Sequence, residues 1–542
     1  MWQQHYTPVA GSLGLSALVA ALPLFTLLYL LGAKRKAAWV AGLWGLAAAT
    51  LVSLGVYQMP AVLTFAAIAY GAAFGLFPIC WIIFWAIFLY RLSVETGQFE
   101  VVKDSIGGLT QDRRLQALLI AFAFGAFVEG AAGFGAPVAV AAAMLTGLGF
   151  SPFYSAGICL LANTAPVAFG SIGIPVITLA GITGLPLAQL SAAVGRICAP
   201  VSVFVPSYLV MVMGGWRALR GVLPATIACG VAFAGSQFYA SNYLGPELTD
   251  ILGSLAAIGS CVLLTLIWKP KDHFVFDGAE AVTKLPPHHP LGEVIKAWAP
   301  YGLLVVCVLL WGRPEIKVFL NSFTVILDWP GLHNQILQAP PVTTKVLPYA
   351  AKYTLNWLSA AGTACLVSCL LSMLVLQPPV AKVALAFRTT CSQLGKPVLT
   401  VSSVLGLAFL MNYSGATGTL GLAFSATGAA FPFFSALLGW LGVFLTGSDT
   451  SANALFGNLQ VVTANRLGLN PILMAASNSS GGVMGKMISL QSIAVAAAAT
   501  GMPLSDESRL FRFTLRHSIF LASVIGLVVL FYAYVMPGWA PR

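Results

Sequence analysis

The chain has 542 residues, of which 58% are hydrophobic and only 8% are charged, and its mean hydropathy is +0.89. Soluble domains carry roughly 25% charged residues, so this composition excludes a soluble globular protein. Many apolar segments exceed the roughly 18 residues that mark a spanning helix, whereas membrane barrels show short alternating strands. We therefore predict an all-α polytopic membrane protein with about a dozen or more transmembrane segments.

The formal net charge of +11 raises the question of a nucleic-acid partner. The basic residues, however, cluster in short segments between apolar runs, as cytoplasmic loops do under the positive-inside rule. These segments hold Lys34, Arg35 and Lys36, Arg217 and Arg220, Lys269 and Lys271, and Arg509, Arg512 and Arg516. The charge therefore indicates a lipid bilayer environment, and no nucleic acid is expected as a partner.

The sequence lacks cofactor and enzyme signatures. The nine cysteines are scattered without metal-ligand or CxxC spacing, and we interpret His288 and His289 as loop residues, so no metal site is predicted. No nucleophile elbow, HExxH pair or haem histidine pair occurs. The glycine-rich runs 130–133 and 481–485 do not continue as a phosphate loop, and close helix packing explains them better. We expect no cofactor and no enzymatic activity.

Four regions are predicted in chain order. Residues 1–60 hold N-terminal transmembrane helices, and residues 61–245 form a first repeat with further spans near 187–215 and 221–241. Residues 246–354 are connecting helices and loops, including a span near 247–267 and a longer extramembrane stretch from 313 to about 352. Residues 355–542 form the second repeat.

Short matches at a nearly constant offset indicate the duplication. The matched pairs are 95–99 with 416–420, 127–130 with 444–447, and Asn163 and Gly170 with Asn478 and Gly485, at offsets of 321, 317 and 315 residues. In transporters such repeats usually have opposite orientations in the membrane. We therefore expect two inverted repeats.

Clusters of glycine, proline and polar residues interrupt the apolar runs at matching places. The predicted broken segments are 129–137 and 163–175 in the first repeat, and 447–457 and 478–491 in the second. Segments 129–137 and 447–457 are interpreted as the tips of two re-entrant hairpins with half-length arms. The four breaks are expected to converge on one cavity near the membrane midplane.

Among the 16 acidic residues, only Glu129 and Asp449 fall inside segments expected to lie in the bilayer. A carboxyl group buried at that depth can exchange a proton near neutral pH, as a proton-coupled carrier requires. The alternative is a permanently paired ion or a half-helix cap. Proton coupling is favoured for Asp449, and both interpretations stay open for Glu129. The neighbours of Asp449 that offer hydrogen bonds are Ser448, Thr450, Ser451 and Asn453.

Lys486 and Arg196 are the basic residues with apolar or small neighbours on both sides. Lys486 could neutralise an anionic substrate or pair with Asp449 in its absence, whereas Arg196 could reach the surface from a helix end. Polar residues are expected at the broken helix ends, where freed amides bind carboxylates and freed carbonyls bind cations. These residues are Asn163, Thr164, Asn478, Ser479 and Ser480. They could equally satisfy the broken backbone internally.

Three long runs, 127–139, 163–170 and 439–451, closely resemble the bacterial L-lactate permease family, which includes glycolate permeases. The likeness extends to residues 2–4, 93–99, 412–415 and 486–489, and it covers essentially the whole chain. Asp449 and Glu129 match the family pattern, and the matched run 412–415 adds Tyr413 as a substrate-binding candidate. In one departure, Met484 and Gly485 precede Lys486 where the resemblance leads us to expect two threonines.

The resemblance implies a symporter of the bacterial inner membrane that takes up L-lactate, D-lactate or glycolate with a proton. It also implies a scaffold, a moving transport domain and a homodimer. The substrate carboxylate would meet Lys486 and the amides near Asn163 and Asn478, and its hydroxyl would meet serine or threonine. One alternative is a sodium-coupled di- or tricarboxylate transporter of the same fold. Another is a membrane subunit of an electron-transfer or lipid-modifying enzyme, which the absent haem histidines disfavour.

Overall fold

The structure is a computed structural model that describes residues 1–133, 135–270, 287, 289–503 and 506–541, so His288 lies outside the described residues. Within these ranges, ten helices are long and apolar enough to span a membrane, and two bent helix pairs raise the number to twelve. The predicted helical, polytopic architecture with about a dozen spans is therefore confirmed.

Helices make up most of the described chain. In chain order they are α1 (Leu13–Ala20), α2 (Leu22–Gly32), α3 (Ala38–Gly55), α4 (Ala61–Phe74), α5 (Trp81–Glu95), α6 (Gln98–Gly107), α7 (Arg113–Gln116), α8 (Gly125–Ala131), α9 (Ala136–Gly147), α10 (Pro152–Ala162), α11 (Gly170–Thr183), α12 (Leu187–Tyr243), α13 (Thr249–Ile267), α14 (Leu291–Gly312), α15 (Pro314–Asn321), α16 (Ala361–Leu376), α17 (Val380–Ser414), α18 (Ala416–Phe424), α19 (Phe431–Thr446), α20 (Asp449–Leu467), α21 (Pro471–Lys486), α22 (Leu490–Thr500) and α23 (Glu507–Tyr534). Wider π-helical turns join α4 to α5 and α7 to α8, at Gly75–Cys80 and Ala117–Phe124.

Helix α12 contains two of the predicted spans without a loop between them. Its backbone leaves the helical region at Gly214 and Gly215, where Gly215 has a φ of +68°. Only glycine adopts such a conformation without strain. The basic residues Arg217 and Arg220 follow this kink, where a connection between two spans was predicted.

The same order of elements occurs twice along the chain. In the first half, α5 is followed by α6, a long helix made of α7 and α8, and then α9, α10 and α11. In the second half, α17 is followed by α18, α19, α20, α21 and α22. Gly97 and Gly415, with φ of +81° and +90°, join the first two helices of each series. This order supports a duplication, and the opposite orientation of the halves stays a prediction.

Three of the four hairpin arms are longer than the sequence predicted. The first arm of the first hairpin runs over 19 residues, Arg113–Ala131, and is buried along its whole length. At 1.5 Å per residue this arm measures about 28 Å, enough to span the hydrocarbon core. The second hairpin has arms of 16 and 19 residues, α19 and α20. The expectation of half-length arms is therefore wrong for these three helices, whereas α9, the second arm of the first hairpin, has only 12 residues and is about half the length of a span.

Four short strands between α15 and α16 and one at the N-terminus form two small sheets, which the sequence did not predict. Strand β1 (Trp2–Gln3) pairs with β3 (Ile336–Gln338), which pairs with β4 (Leu347–Pro348). Strand β2 (Val325–Asp328) pairs with β5 (Lys352–Leu355). The N-terminus thus binds to the stretch that was predicted to lie outside the membrane.

Candidate functional site

The turn of the first hairpin lies against the interrupted start of α11. In that helix Ser171, Ile172 and Gly173 have left-handed backbone conformations. The hydroxyl of Ser171 donates a hydrogen bond of 3.2 Å to the carbonyl of Ala132 in the hairpin turn. A Cβ atom on Gly133 would lie 1.8 Å from the Ser171 hydroxyl, so only glycine permits this contact.

The turn of the second hairpin lies against the break between α21 and α22 in the same manner. This turn is only Gly447 and Ser448, because α20 begins at Asp449. The Lys486 ammonium donates to the carbonyl of Gly447 at 2.7 Å. A Cβ on Gly447 would lie 2.6 Å from Oε1 of Gln491, at the start of α22. The predicted break at 447–457 therefore contains two non-helical residues followed by helix.

Asp449 is the first residue of α20 and is buried, with 3% of its surface exposed. Its Oδ2 accepts hydrogen bonds from the Ser479 hydroxyl at 2.6 Å and from the Asn453 amide at 3.3 Å. Its Oδ1 has no hydrogen-bond partner within the described residues. The carboxyl group is therefore held in one orientation with one oxygen free to accept a proton or a donor.

A chain of buried amides continues from Asp449 through the second repeat. Asn453 also donates to the carbonyl of Pro175 in α11 at 3.1 Å, and its Oδ1 accepts from Asn478 at 2.9 Å. Gln460 donates to Oδ1 of Asn478 at 3.1 Å and accepts from the Ser435 hydroxyl at 2.7 Å. These bonds connect α11, α19, α20 and α21 and fix the position of Asn453 next to Asp449.

Small residues allow α19 and α21 to approach within backbone contact. A Cβ on Gly439 would lie 1.9 Å from the carbonyl of Asn478, and one on Gly481 would lie 2.0 Å from the carbonyl of Ala436. A Cβ on Gly485 would likewise lie 2.3 Å from the carbonyl oxygen of Trp440. Close packing through small residues is common between membrane helices. The predicted packing role of the 481–485 run is thus confirmed.

Glu129 lies in the last turn of α8 and is also buried. Its carboxyl group lies against Gly170, where a Cβ would meet Oε1 at 2.6 Å. Glu129 Oε2 and both polar side-chain atoms of Asn163 lack hydrogen-bond partners in the described part of the chain. Glu129 is therefore a second buried carboxyl group with an unpartnered oxygen.

Lys486 does not form the predicted ion pair with Asp449. No salt bridge of Lys486 occurs among the described residues, because its ammonium is bound to the Gly447 carbonyl. An ammonium has three donors, so this bond leaves two for other acceptors. The lysine is half-buried at the end of α21, where it can reach an anion near the hairpin turn.

Asn478, Ser479 and Ser480 lie in the interior of α21, which is helical from Pro471 to Lys486. The prediction that they occupy a broken helix end is wrong, and the non-helical residues are Met487, Ile488 and Ser489. The small residues at 477–485 have a composition that is also typical of loops, but here they allow the close contact between α21 and α19. Ser479 and Asn478 reach Asp449 and Asn453 from the side of an intact helix.

The remaining polar candidates differ in their hydrogen bonds. Ser448 caps α20 by accepting from the Ser451 amide at 3.3 Å, and Thr450 is half-buried beside it. Thr164 donates to the carbonyl of Leu161 at 2.8 Å, which satisfies the broken backbone locally. The buried hydroxyl of Ser480 has no partner by hydrogen-bond geometry within the described ranges.

Two predicted site residues are not part of this centre. Arg196 donates to Asn242 at 2.8 Å and to the carbonyl of Trp539, and its guanidinium stacks on the Trp539 ring. The hydroxyl of Tyr413 donates a hydrogen bond of 2.8 Å to the carbonyl of Ala350, which lies between β4 and β5. Both side chains are engaged in these contacts, and their role in substrate binding stays a prediction.

Asp250 was missed by sequence reasoning, which placed it at a span end. It lies in the first turn of α13, is fully buried, and neither of its carboxylate oxygens has a hydrogen-bond partner within the described residues. A Cβ on Gly130 would lie 2.9 Å from the Cβ of Asp250. Nothing in the sequence separates it from an exposed acidic residue at a helix start, because its burial results from packing against α8.

The bundle of spanning helices holds buried acidic and amide side chains and a half-buried lysine near two interrupted helices. These features are typical of a membrane transport protein of the carrier class. The chain belongs to the L-lactate permease family, whose model matches residues 16–536. It is 45% identical to L-lactate permease of Bacillus subtilis (strain 168), with 100% of both chains covered.

Two further proteins are similar to the chain. Glycolate permease GlcA of Escherichia coli (strain K12) is 45% identical, with 99% of both chains covered. The solved structure of the Alcanivorax borkumensis YdaH transporter has a TM-score of 0.46 and 14% identity, with 89% of both chains covered. The family and the apolar helices place this chain in the bacterial inner membrane as a multi-pass transporter, and not as an enzyme.

Proposed function

We propose that this protein imports a 2-hydroxymonocarboxylate, L-lactate or else D-lactate or glycolate, together with a proton. The observation that carries the proposal is the buried carboxyl group of Asp449, which has one satisfied and one free oxygen beside the half-buried Lys486. The permeases with 45% identity are named for L-lactate and glycolate, which share a carboxylate and a 2-hydroxyl group.

Charge balance explains why a monoanion would enter with a proton. With Glu129, Asp449 and Lys486 all ionised, the centre carries one net negative charge, and buried charge without a partner is costly. One proton neutralises it. A bound monoanion adds another negative charge, which a second proton on the remaining carboxylate offsets. Substrate and proton therefore bind together, with Asp449 and Glu129 as the proton-binding groups.

The substrate carboxylate is assigned to Lys486, whose ammonium keeps two donors beyond its bond to Gly447. The backbone amides in the first turn of α20 and the unpartnered amide of Asn163 supply further donors. Ser448, Thr450 and Ser451 lie on the same turn as Asp449 and offer hydroxyls for the 2-hydroxyl group. Ser479, Asn453 and Asn478 orient Asp449 in this scheme.

A sodium-coupled di- or tricarboxylate carrier is less well supported. A dianion needs a second cation besides Lys486. Arg196 is the other basic residue with apolar or small neighbours, and it is bound to Asn242 and to the carbonyl of Trp539 instead. Lys486 alone matches a single carboxylate.

A competition panel in proteoliposomes tests the substrate and the coupling ion. We expect radiolabelled L-lactate uptake to be inhibited by D-lactate or glycolate, unaffected by citrate and succinate, and equal with and without sodium. Sodium-dependent uptake, or inhibition by dicarboxylates alone, would overturn the proposal. The homodimer implied by the family resemblance is part of the same proposal, and cross-linking in native membranes tests it.

A further inference from the structure

A polar cavity lies between the N-terminal segment and the second repeat, and the proposed transport centre does not use it. Its volume is about 360 Å³, within the roughly 300 to 1,000 Å³ of small-molecule sites. No acidic side chain lines it among the described residues, so it favours an anion over a cation. Its polar lining comes from the N-terminal segment, from the turn after α18 and from the end of α20, and consists of Gln3, Gln4, His5, Thr7, Ser425 and Arg466.

Hydrogen bonds hold the N-terminal wall of this cavity in place. The backbone amide of Gln4 donates to the carbonyl of Leu337 at 2.9 Å, next to the pairing of β1 with β3. The side-chain amide of Gln4 donates to the carbonyls of Asn412 and Tyr413, both at 2.8 Å. The Tyr6 hydroxyl donates to Oε1 of Gln4 at 2.8 Å. The cavity is therefore preformed, and a ligand does not have to order its wall.

Arg466 supplies the permanent positive charge of the cavity. It is exposed in the last turn of α20 and forms no salt bridge among the described residues. The simplest explanation of an arginine here is stabilisation of the helix end by its charge. The carbonyl of Ala464, however, already accepts from the amides of Gly468 and Leu469. The guanidinium therefore keeps its donors for a carboxylate, which it can bind through two parallel hydrogen bonds.

The remaining lining matches the other parts of a small hydroxy acid. The Ser425 hydroxyl donates to the carbonyl of Leu422 at 2.6 Å, so its oxygen can accept from a 2-hydroxyl group. Thr7 offers a second hydroxyl, and Leu13 and Leu422 offer apolar contacts for a methyl group. The carboxylate, the hydroxyl and the methyl group of lactate thus each have a counterpart in the lining.

The cavity lies on the outer side of the membrane, away from the transport centre. Helices α1 and α2, bent by 42°, together qualify as one span, and the basic segment 34–36 follows them. Because such a segment marks the cytoplasmic side, the residues that precede α1 lie outside. Arg466 follows Asp449 by 17 residues in α20, which is about 25 Å at 1.5 Å per residue. The cavity is therefore at the outer end of the helix that begins with Asp449.

We propose that this cavity is an external binding site for the monocarboxylate substrate, in which Arg466 binds the carboxylate before the anion enters the transport centre. A fixed cation at the entrance raises the local concentration of anions and their rate of association. The site changes no bond of the substrate. This inference rests on the proposed import of a 2-hydroxymonocarboxylate and adds a second site for the same anion.

Cysteine labelling tests binding in the cavity without transport. In right-side-out membrane vesicles, an uncharged and membrane-impermeant maleimide is applied to a Thr7→Cys variant that also carries Cys391→Ser, because Cys391 is the exposed native cysteine. L-lactate that replaces chloride at constant ionic strength should slow the labelling about fivefold at about four times its half-effective concentration. Adding Arg466→Gln should remove this protection. Adding Lys486→Met should keep it, because the lysine belongs to the other site.

Uptake kinetics test the role of the cavity in transport. Arg466→Gln should raise the KM for L-lactate about three- to fivefold at low salt, as expected for an exposed ion pair, with kcat within about twofold. The difference should shrink at about 0.5 M salt, which screens the charge. Arg466→Lys should restore most of the KM. Lys345→Gln is the matched control, because Lys345 is an exposed lysine of the stretch 313–352 that does not line the cavity, and its KM should be unchanged.

Equal labelling rates with and without L-lactate would overturn the inference, as would the absence of labelling from the outer side. Equal protection by sulfate would show an adventitious ion only and would also overturn it. An unchanged KM in Arg466→Gln would exclude the cavity from the transport route. If Arg466→Gln does not fold, Ser425→Phe, which fills the cavity, decides by the same two measurements. Failure of the unmodified protein to take up L-lactate would instead contradict the proposed function, and the labelling result does not depend on transport.

Discussion

Lys486 and Gly447 are joined by a hydrogen bond of 2.7 Å from the ammonium group to the carbonyl oxygen. Gly447 ends α19 and has a φ of +71°, so its carbonyl group belongs to a helix C-terminus that attracts a cation. Gly447 lies two residues before Asp449, so the bond keeps the positive charge near the start of α20, and no salt bridge of Lys486 occurs among the described residues. The cation is therefore held in position while part of its binding capacity is free.

Replacing Lys486 by methionine should weaken substrate binding while the helix itself is kept. A hydrogen bond to a charged group contributes about 1.5 to 3 kcal/mol, so the Kd for L-lactate should rise about 10- to 150-fold. Lys486→Arg keeps the charge but not the compact geometry, and it should restore only part of the affinity. Calorimetric titration of the purified protein measures both, and unchanged affinity in Lys486→Met would exclude the lysine from the substrate site.

Gly482→Ala should displace the Asp449 side chain. The added Cβ would lie 2.3 Å from Oδ1 of Asp449 and 2.8 Å from Cγ2 of Val443. Overpacking of this kind costs about 1 to 3 kcal/mol, and it should lower both the melting temperature and the uptake rate. Gly259→Ala in α13 is the control, since its Cβ would meet no atom within 4 Å. Equal behaviour of the two variants would contradict the contact between Gly482 and Asp449.

Asn478→Ala should destabilise the second repeat and disturb Asp449 indirectly. It removes the donor to Asn453 and the acceptor of Gln460, which leaves buried polar groups without partners. Each such group costs about 1 to 3 kcal/mol. Asn465→Ala on the exposed surface of α20 is the control and should leave thermal stability unchanged. Thermal unfolding followed by tryptophan fluorescence distinguishes the two, and equal melting temperatures would argue against the amide chain.

A pH-dependent contact is expected between His289 and α6, outside the spanning segments. His289 contacts Asp104 at 2.9 Å and Glu293 at 3.3 Å. The hydrogen bond to Asp104 raises the pKa of His289 above its ordinary value of 6.5, and Glu293 adds to the effect. Because the folded-state pKa is raised, the stabilisation is fully present below about pH 6.5 and is lost as the pH rises through the raised pKa.

Hydrogen exchange of the α6 amides at pH 6 and pH 8 measures this contact. After correction for the intrinsic rate, we expect greater protection at pH 6, and His289→Gln should remove the difference. Equal protection of the unmodified protein at both pH values would show that the histidine does not hold α6.

The sequence was sufficient for the class of fold and for the position of the hairpin turns. Long apolar runs predict spanning helices, and glycine beside a carboxylate marks each turn, at Glu129 and at Asp449. The sequence led to a wrong prediction of a helix break at Asn478–Ser480, because small polar residues are typical both of loops and of tightly packed membrane helices. The close approach of α19 to α21, which requires Gly439 and Gly481, is a property of two segments together.

Burial of charged groups was the least predictable property. Asp250 has the sequence context of a helix start, and only its packing against Gly130 shows that it is inside the protein. For Arg196 and Tyr413, apolar surroundings and motif resemblance suggested a site role, and the sequence did not show the hydrogen bonds that hold both side chains. Partners that lie 63 and 343 residues away along the chain, as Ala350 and Trp539 do, cannot be identified from local pattern.

The most direct test of the central claim separates the pH gradient from the membrane potential. In proteoliposomes with the potential clamped at zero, a pH step of one unit should accumulate L-lactate about tenfold, because one unit provides about 1.4 kcal/mol. A potential imposed without a pH step should give no accumulation, because one proton and one monoanion carry no net charge. Asp449→Asn should abolish the pH-driven accumulation. Accumulation driven by the potential alone, or full pH-driven accumulation by Asp449→Asn, would contradict one-to-one proton coupling through Asp449.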